Sequence, residues 1–315
     1  MPYELEKRLV IGVASSAMFD LTESDAVYRD EGEAAYRAHQ EQHRESILEK
    51  GVAFSFIKRL LSLNDLSSNP VQDPLVEVVL LSRNDPDTGL RVMNSIRHYG
   101  LEMTRAIFLQ GRSPYAYIPA LNISLFLSAN ESDVNEAIAA GYPAGLVIDS
   151  VAHDDENDPE LRIAFDFDGV VIDDEAESIF QQSNQSVEAF HRHEQQHVLT
   201  PHNPGPLADF LKRIAVIQGI EMRKRASDDS YQTRLRVSIV TARNAPSHER
   251  VVNTLKSWGI MVNEAFFLGG IEKSKVLGVL KPHIFFDDQK GHLERASDVT
   301  PSVHIPFGVA NKKKA

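Results

Sequence analysis

The 315-residue chain contains no cysteine. That excludes disulfide staples, cysteine-ligated zinc and thiol catalysis. No apolar run approaches the roughly 18–20 residues that a membrane helix needs. The opening stretch MPYELEKRLV holds no apolar segment suited to a signal peptide. A cytoplasmic protein without membrane contact is the expectation. Basic residues are in the minority: 33 Lys and Arg face 45 Asp and Glu, a formal charge of −12. This balance argues against a nucleic-acid polymer as partner, and the basic tail at 311–315 reads as a solvated end. The patterns G-x-x-x-x-G-K-[ST], G-x-G-x-x-G and G-x-S-x-G are also missing. Nucleoside-triphosphatase, dinucleotide and serine-hydrolase readings therefore have no motif to rest on.

What the chain does contain is a repeat. Its length suits two domains, and residues 82–130 align without a gap on 241–289 at an offset of 159. Arg91, Asn94 and Gly100 fall on Arg250, Asn253 and Gly259. Upstream the offset is 154, and His39, Gln42 and His43 fall on His193, Gln196 and His197. Nearer the N-terminus it is 152, laying VIGVASSAMF on RIAFDFDGVV. Colinear blocks with offsets that only grow indicate a duplicated domain. The first copy is expected over 1–150, the acidic segment VAHDDENDPE at 151–160 as linker, and the second copy over 161–310.

Each copy reads as α/β. The runs LVIGVA, VEVVLLS, RAIFLQ and ISLFLS, then RIAFDF, RVSIVT, EAFFLG and HIFFDD, look like buried parallel strands. Helical patterns lie between them, as in Val251, Val252, Leu255 and Trp258. The alternation implies two Rossmann-like, doubly wound parallel sheets. The stretch after each first strand (20–74 and 173–234) is too long for one crossover helix, so a helical cap insertion is expected there.

The chemistry-bearing residues fall at strand ends. Asp166 and Asp168 follow an apolar strand one residue apart and point the same way, where open α/β sheets bind ligands. Two like charges held together raise a pKa, and a metal ion or acid/base work would explain them. Thr241, Arg243 and Asn244 lie where a strand meets a helix; a hydroxyl and helix N-terminal amides suit a phosphate. Asp287 and Asp288 form a second acidic pair suited to a hard cation. Lys273, with Lys275 as fallback, follows flexible glycines.

In this order DFDGV, IVTAR, the lysine of GGIEK and FFDD resemble the four motifs of the haloacid dehalogenase (HAD-like) phosphohydrolases. Stretches such as GVAFSFIKRLL, VVLLSRNDPDTGLRVMNSIRHYGL, IFLQGRSPYAY, VTARNAPSHERV and EAFFLGG resemble the cytosolic type I 5′-nucleotidases more closely still. Relatives carry a Gly-Asp-Ala-like version of Phe167-Asp168-Gly169; both aspartates are kept here. The resemblance implies hydrolysis of nucleoside 5′-monophosphates with Mg²⁺ as cofactor. It casts Asp166 as nucleophile and Asp168 as general acid and base. Thr241 and Lys273 would hold phosphoryl oxygens. Asp166, the Asp168 backbone carbonyl and Asp287 or Asp288 would hold the metal. A homo-oligomer is compatible with it.

Other readings share these parts. A phosphatase of another small phosphomonoester would use the same set. A non-catalytic phospho-accepting or nucleotide-binding protein would share all but Asp168, which is useful only for turnover. In the first copy Asp166 becomes Ala14, Asp168 Ser16, Thr241 Ser82, Lys273 Pro114, and Asp287 and Asp288 Ser128 and Ala129. That copy should be catalytically silent. Its Ser82, Arg83 and Asn84 either bind substrate or an effector, pack against the active domain, or are purely structural. A competing motif, His193-Glu194-Gln195-Gln196-His197, matches the zinc-protease pattern H-E-x-x-H. The first copy keeps the histidines but moves the acid, the flanks are polar, and no third ligand follows in a recognised spacing.

Overall fold

The computed structural model describes residues 3–152, 154–183 and 186–311. His153 of the acidic segment and residues 312–315 of the basic tail lie outside them. The chain divides into two compact units, Met1–Val147 and Ile148–Ala315.

In the first unit the strands are β1 (Leu9–Val13), β2 (Val76–Ser82), β3 (Arg105–Phe108), β4 (Leu125–Ser128) and β5 (Ala144–Ile148). They run parallel in the order β3-β2-β1-β4-β5. Every residue of β1, β2 and β4 is buried, which is why these segments read as continuous apolar runs rather than alternating ones. Between β1 and β2 come the helices Thr22–Glu31, Glu33–Gln42 and Phe54–Ser62.

The second unit contains β6 (Leu161–Phe165), β7 (Leu235–Thr241), β8 (Glu264–Phe267), β9 (Ile284–Asp287) and β10 (Ser302–His304). They are parallel in the order β8-β7-β6-β9-β10. Helices Glu175–Gln182, Val187–Gln196 and Ala208–Ser227 fill the interval between β6 and β7. The acidic segment belongs to this unit: Asp158 and Glu160 pair with Arg162 at 2.6 and 2.8 Å. Among the described residues no helix is long and apolar enough to cross a membrane.

Two strands are absent from the sequence reading, β5 and β10. β10 is three residues long, too short to give an apolar run. The helix His248–Ser257 buries Arg250, Val251, Thr254 and Leu255, whereas Val252 is 48% exposed. One residue is a 100° turn on a helix, so Val251 and Val252 do not share a face.

Candidate active site

Register sets the site. Phe165 of β6 pairs with Phe286 of β9, so Asp166 and Asp287 leave the sheet side by side at the carboxyl edge. The Asp166 backbone N–H donates to the Phe286 carbonyl at 2.7 Å. Its Oδ1 accepts from the Phe167 N–H at 2.7 Å. Lys273 opens the helix Lys273–Leu280, and its Nζ lies 2.9 Å from Asp166 Oδ1 and 2.7 Å from Asp287 Oδ2. All three side chains are buried. Burial pushes the Asp166 carboxyl up to about 7; Lys273 opposes the rise, and Asp287 and Asp168 add to it. Burial also opposes charge on Asp287, but Lys273 and His292 hold it below its ordinary value. Burial likewise works against Lys273, yet Asp166 and Asp287 carry its pKa upward.

Asp288 completes an oxygen cluster. Its Oδ1 is buried and has no hydrogen-bond partner among the described residues. Burial, then the charges of Asp166 and Asp287, push its carboxyl up to about 9. Gly169 makes room for it: φ is +67°, and a Cβ there would meet Asp288 Oδ2 at 2.7 Å. Crowded carboxylates, one of them unpartnered, are the donor set that a hard divalent cation takes. These residues therefore fit a metal of that class. Asp287 already accepts from Lys273 and from the Gln289 N–H at 2.8 Å, and one ligand atom each from Asp166, Asp287 and His292 lies within 4.8 Å of the others.

Asp168 is held by a fork. Arg243 donates through Nε to Oδ2 at 2.8 Å and through Nη2 to Oδ1 at 2.7 Å. Its Nη1 donates to Glu194, which comes from the helix Val187–Gln196. Glu194 also accepts from Arg250 Nη1 at 2.9 Å and lies 3.3 Å from His202 Nε2. Burial raises the Glu194 pKa, but His202, Arg243 and Arg250 together hold it down at about 2, against an ordinary 4.5. A depressed carboxylate stabilises the fold fully above its unfolded pKa and loses that contribution as pH falls through the folded one. Acid titration is expected to remove about 3 kcal/mol between pH 4.5 and 2. Urea melts at pH 6, 4 and 2.5 check it, and the Glu194→Gln variant should show a shallower loss.

A cavity of about 320 Å³ opens over Asp166, Asp168 and Arg243. Asp166, Asp168, Thr241 and Asn244 line its polar side. Thr241 Oγ1 accepts from the Arg243 N–H at 3.2 Å, which leaves its hydroxyl proton to donate. Phe180, Val187 and Phe190, from the helices between β6 and β7, line the apolar side. The two phenylalanine rings meet edge to face at 6.4 Å.

A family model described as 5′-nucleotidase matches residues 1–312. The chain belongs to this family. It is 32% identical over 298 residues to cytosolic 5′-nucleotidase 1B of Homo sapiens, covering 94% of this chain and 48% of that protein. It thus spans about half the length of that curated relative. No solved structure gives a significant match.

Within this 5′-nucleotidase family chain, several sequence candidates lie elsewhere or are occupied. Lys275 is exposed and lines a separate cavity with Arg162 and Arg236; two residues along a helix turn it about 200° from Lys273. Arg243 borders the cavity, but each guanidinium nitrogen already donates within the protein. In the first unit, Ser82 Oγ lies 3.2 Å from Ser15 Oγ, Arg83 Nε donates to Asp133 at 2.9 Å, and Asn84 Oδ1 accepts from Tyr36 at 3.0 Å. The H-E-x-x-H glutamate is spent on arginines, and His193 Nε2 is 3.0 Å from Glu175. That glutamate is thus already engaged by Arg243 and Arg250 rather than poised as a protease base. Phe180, Phe190 and His202 have no motif, and nothing in their local sequence signals their part.

Proposed function

We propose that this chain is a Mg²⁺-dependent 5′-nucleotidase that converts nucleoside 5′-monophosphates to nucleoside and phosphate. The carrying observation is the buried Asp166, bridged by Lys273 to Asp287 beneath a cavity that is polar at its floor and aromatic at its wall. Asp166 Oδ attacks phosphorus, and the P–O5′ bond breaks. Asp168 gives its proton to the departing 5′-oxygen. Water then attacks phosphorus, Asp168 takes the water proton, and the P–O bond to Asp166 breaks.

Asp166, Asp288 and the Asp168 backbone carbonyl would hold the Mg²⁺. When bound, the cation offsets the repulsion between a carboxylate nucleophile and an anionic phosphate. Lys273 and the Thr241 hydroxyl hold phosphoryl oxygens, and Asn244 borders them. Arg243 positions Asp168. Phe180 and Phe190 offer the base an aromatic wall. Positioning and charge stabilisation supply most of the catalysis, as phosphoryl transfer requires.

The two units are read as copies of one HAD-like domain, the first silent. Their matching strand orders and colinear residues support this. The test is phosphate release from AMP, IMP, GMP, CMP, UMP and their deoxy forms, with Mg²⁺ and with EDTA. Metal-dependent release from at least one is expected. No release from any of them would end the substrate assignment.

A further inference from the structure

The helix that carries Glu194 has a counterpart in the first unit, and the two differ in what meets their histidines. In the second unit the His193 and His197 rings lie 4.4 Å apart. Glu175 reaches His193 directly and is also drawn to Arg250 at 3.3 Å. In the first unit His39, on the helix Glu33–Gln42, and His43, capping its end, lie 4.2 Å apart with rings tilted by 33°. His43 Nδ1 is 2.9 Å from the His39 carbonyl. A carbonyl only accepts, so Nδ1 carries the proton and Nε2 of the neutral ring keeps its lone pair. This is the backbone hydrogen bond that commonly orients a metal-binding imidazole. His39 Nε2 is buried and has no hydrogen-bond partner among the described residues. Glu23, on the packed neighbouring helix Thr22–Glu31, brings a carboxylate. One ligand atom from each of the three residues lies within 4.8 Å of the others.

We propose that Glu23, His39 and His43 bind one divalent transition-metal ion of the zinc type, clamping the helices Thr22–Glu31 and Glu33–Gln42 together. Zinc takes imidazole nitrogen and carboxylate oxygen at about 2.0–2.2 Å, which sets ligand atoms roughly 3.3 Å apart. Binding would draw the ligand atoms from their present spacing, within 4.8 Å of one another, to that value by side-chain rotation. Three protein ligands leave a fourth position for water, on the side where Glu23 is exposed. The donor set selects the metal. Two imidazoles suit zinc, whereas the all-oxygen cluster at Asp166 and Asp288 suits magnesium. Burial, then His43, lower the His39 pKa and so favour the neutral ring that a metal takes; Arg91 adds to this, and Glu23 and Glu31 oppose it.

The test uses the untagged full chain, equilibrated with Zn²⁺ in the presence of excess Mg²⁺, dialysed, and assayed for bound zinc. Wild type should retain one equivalent more than His43→Ala and than Glu23→Gln, while His197→Ala should match wild type. Zinc should raise the melting temperature of wild type and of His197→Ala only. Circular dichroism confirms that each variant is folded. Equal zinc content in wild type and His43→Ala would overturn the proposal. So would loss of the extra equivalent in His197→Ala.

Discussion

Asp166→Asn is expected to lower turnover on the order of a million-fold, the scale seen when an enzymatic nucleophile is removed. The fold should survive. Burial already pushes the Asp166 carboxyl up to about 7, so a neutral amide of the same shape relieves crowding rather than creating it. Lys273 keeps its 2.7 Å contact with Asp287. Single-turnover phosphate release, run beside circular dichroism, checks both halves. Activity within tenfold of wild type would mean that another group attacks phosphorus.

Glu194→Ala is expected to act mainly on stability. Removing one partner of a buried ion pair leaves charge uncompensated and costs about 3–5 kcal/mol. Here two buried arginines, Arg243 and Arg250, and His202 would lose their shared carboxylate. For a unit of this size the melting temperature should fall by about 10 °C. A second effect follows from the fork. Arg243 without Glu194 no longer holds Asp168 in one place, so kcat should fall while KM moves little. Differential scanning calorimetry and steady-state kinetics separate the two. A melting temperature within 2 °C of wild type would show that the network contributes little to the fold.

The contrast between these residues explains what the sequence could tell. Asp166, Thr241 and Asp287 are legible because each ends or follows a continuous apolar run, and a parallel sheet brings its strand ends to one edge. Lys273 is legible by its place after Gly269 and Gly270, but only helix geometry separates it from Lys275. Glu194 is legible as the wrong thing. Its five-residue context spells a zinc motif, while its partners Arg243 and Arg250 lie 49 and 56 residues away. No local pattern encodes that pairing. The choice of Asp288 over Asp287 as the proposed metal ligand is equally non-local, since it rests on which oxygens Lys273 and the Gln289 N–H have already taken.

The central claim is that phosphate passes through a covalent bond to Asp166. Acid-quenching the enzyme during turnover of a nucleoside monophosphate, reducing with borohydride and sequencing the peptides by mass spectrometry tests it directly. An aspartyl phosphate is reduced to homoserine, so the account predicts homoserine at position 166 and nowhere else. Homoserine at Asp168, Asp287 or Asp288, with Asp166 intact, would contradict it.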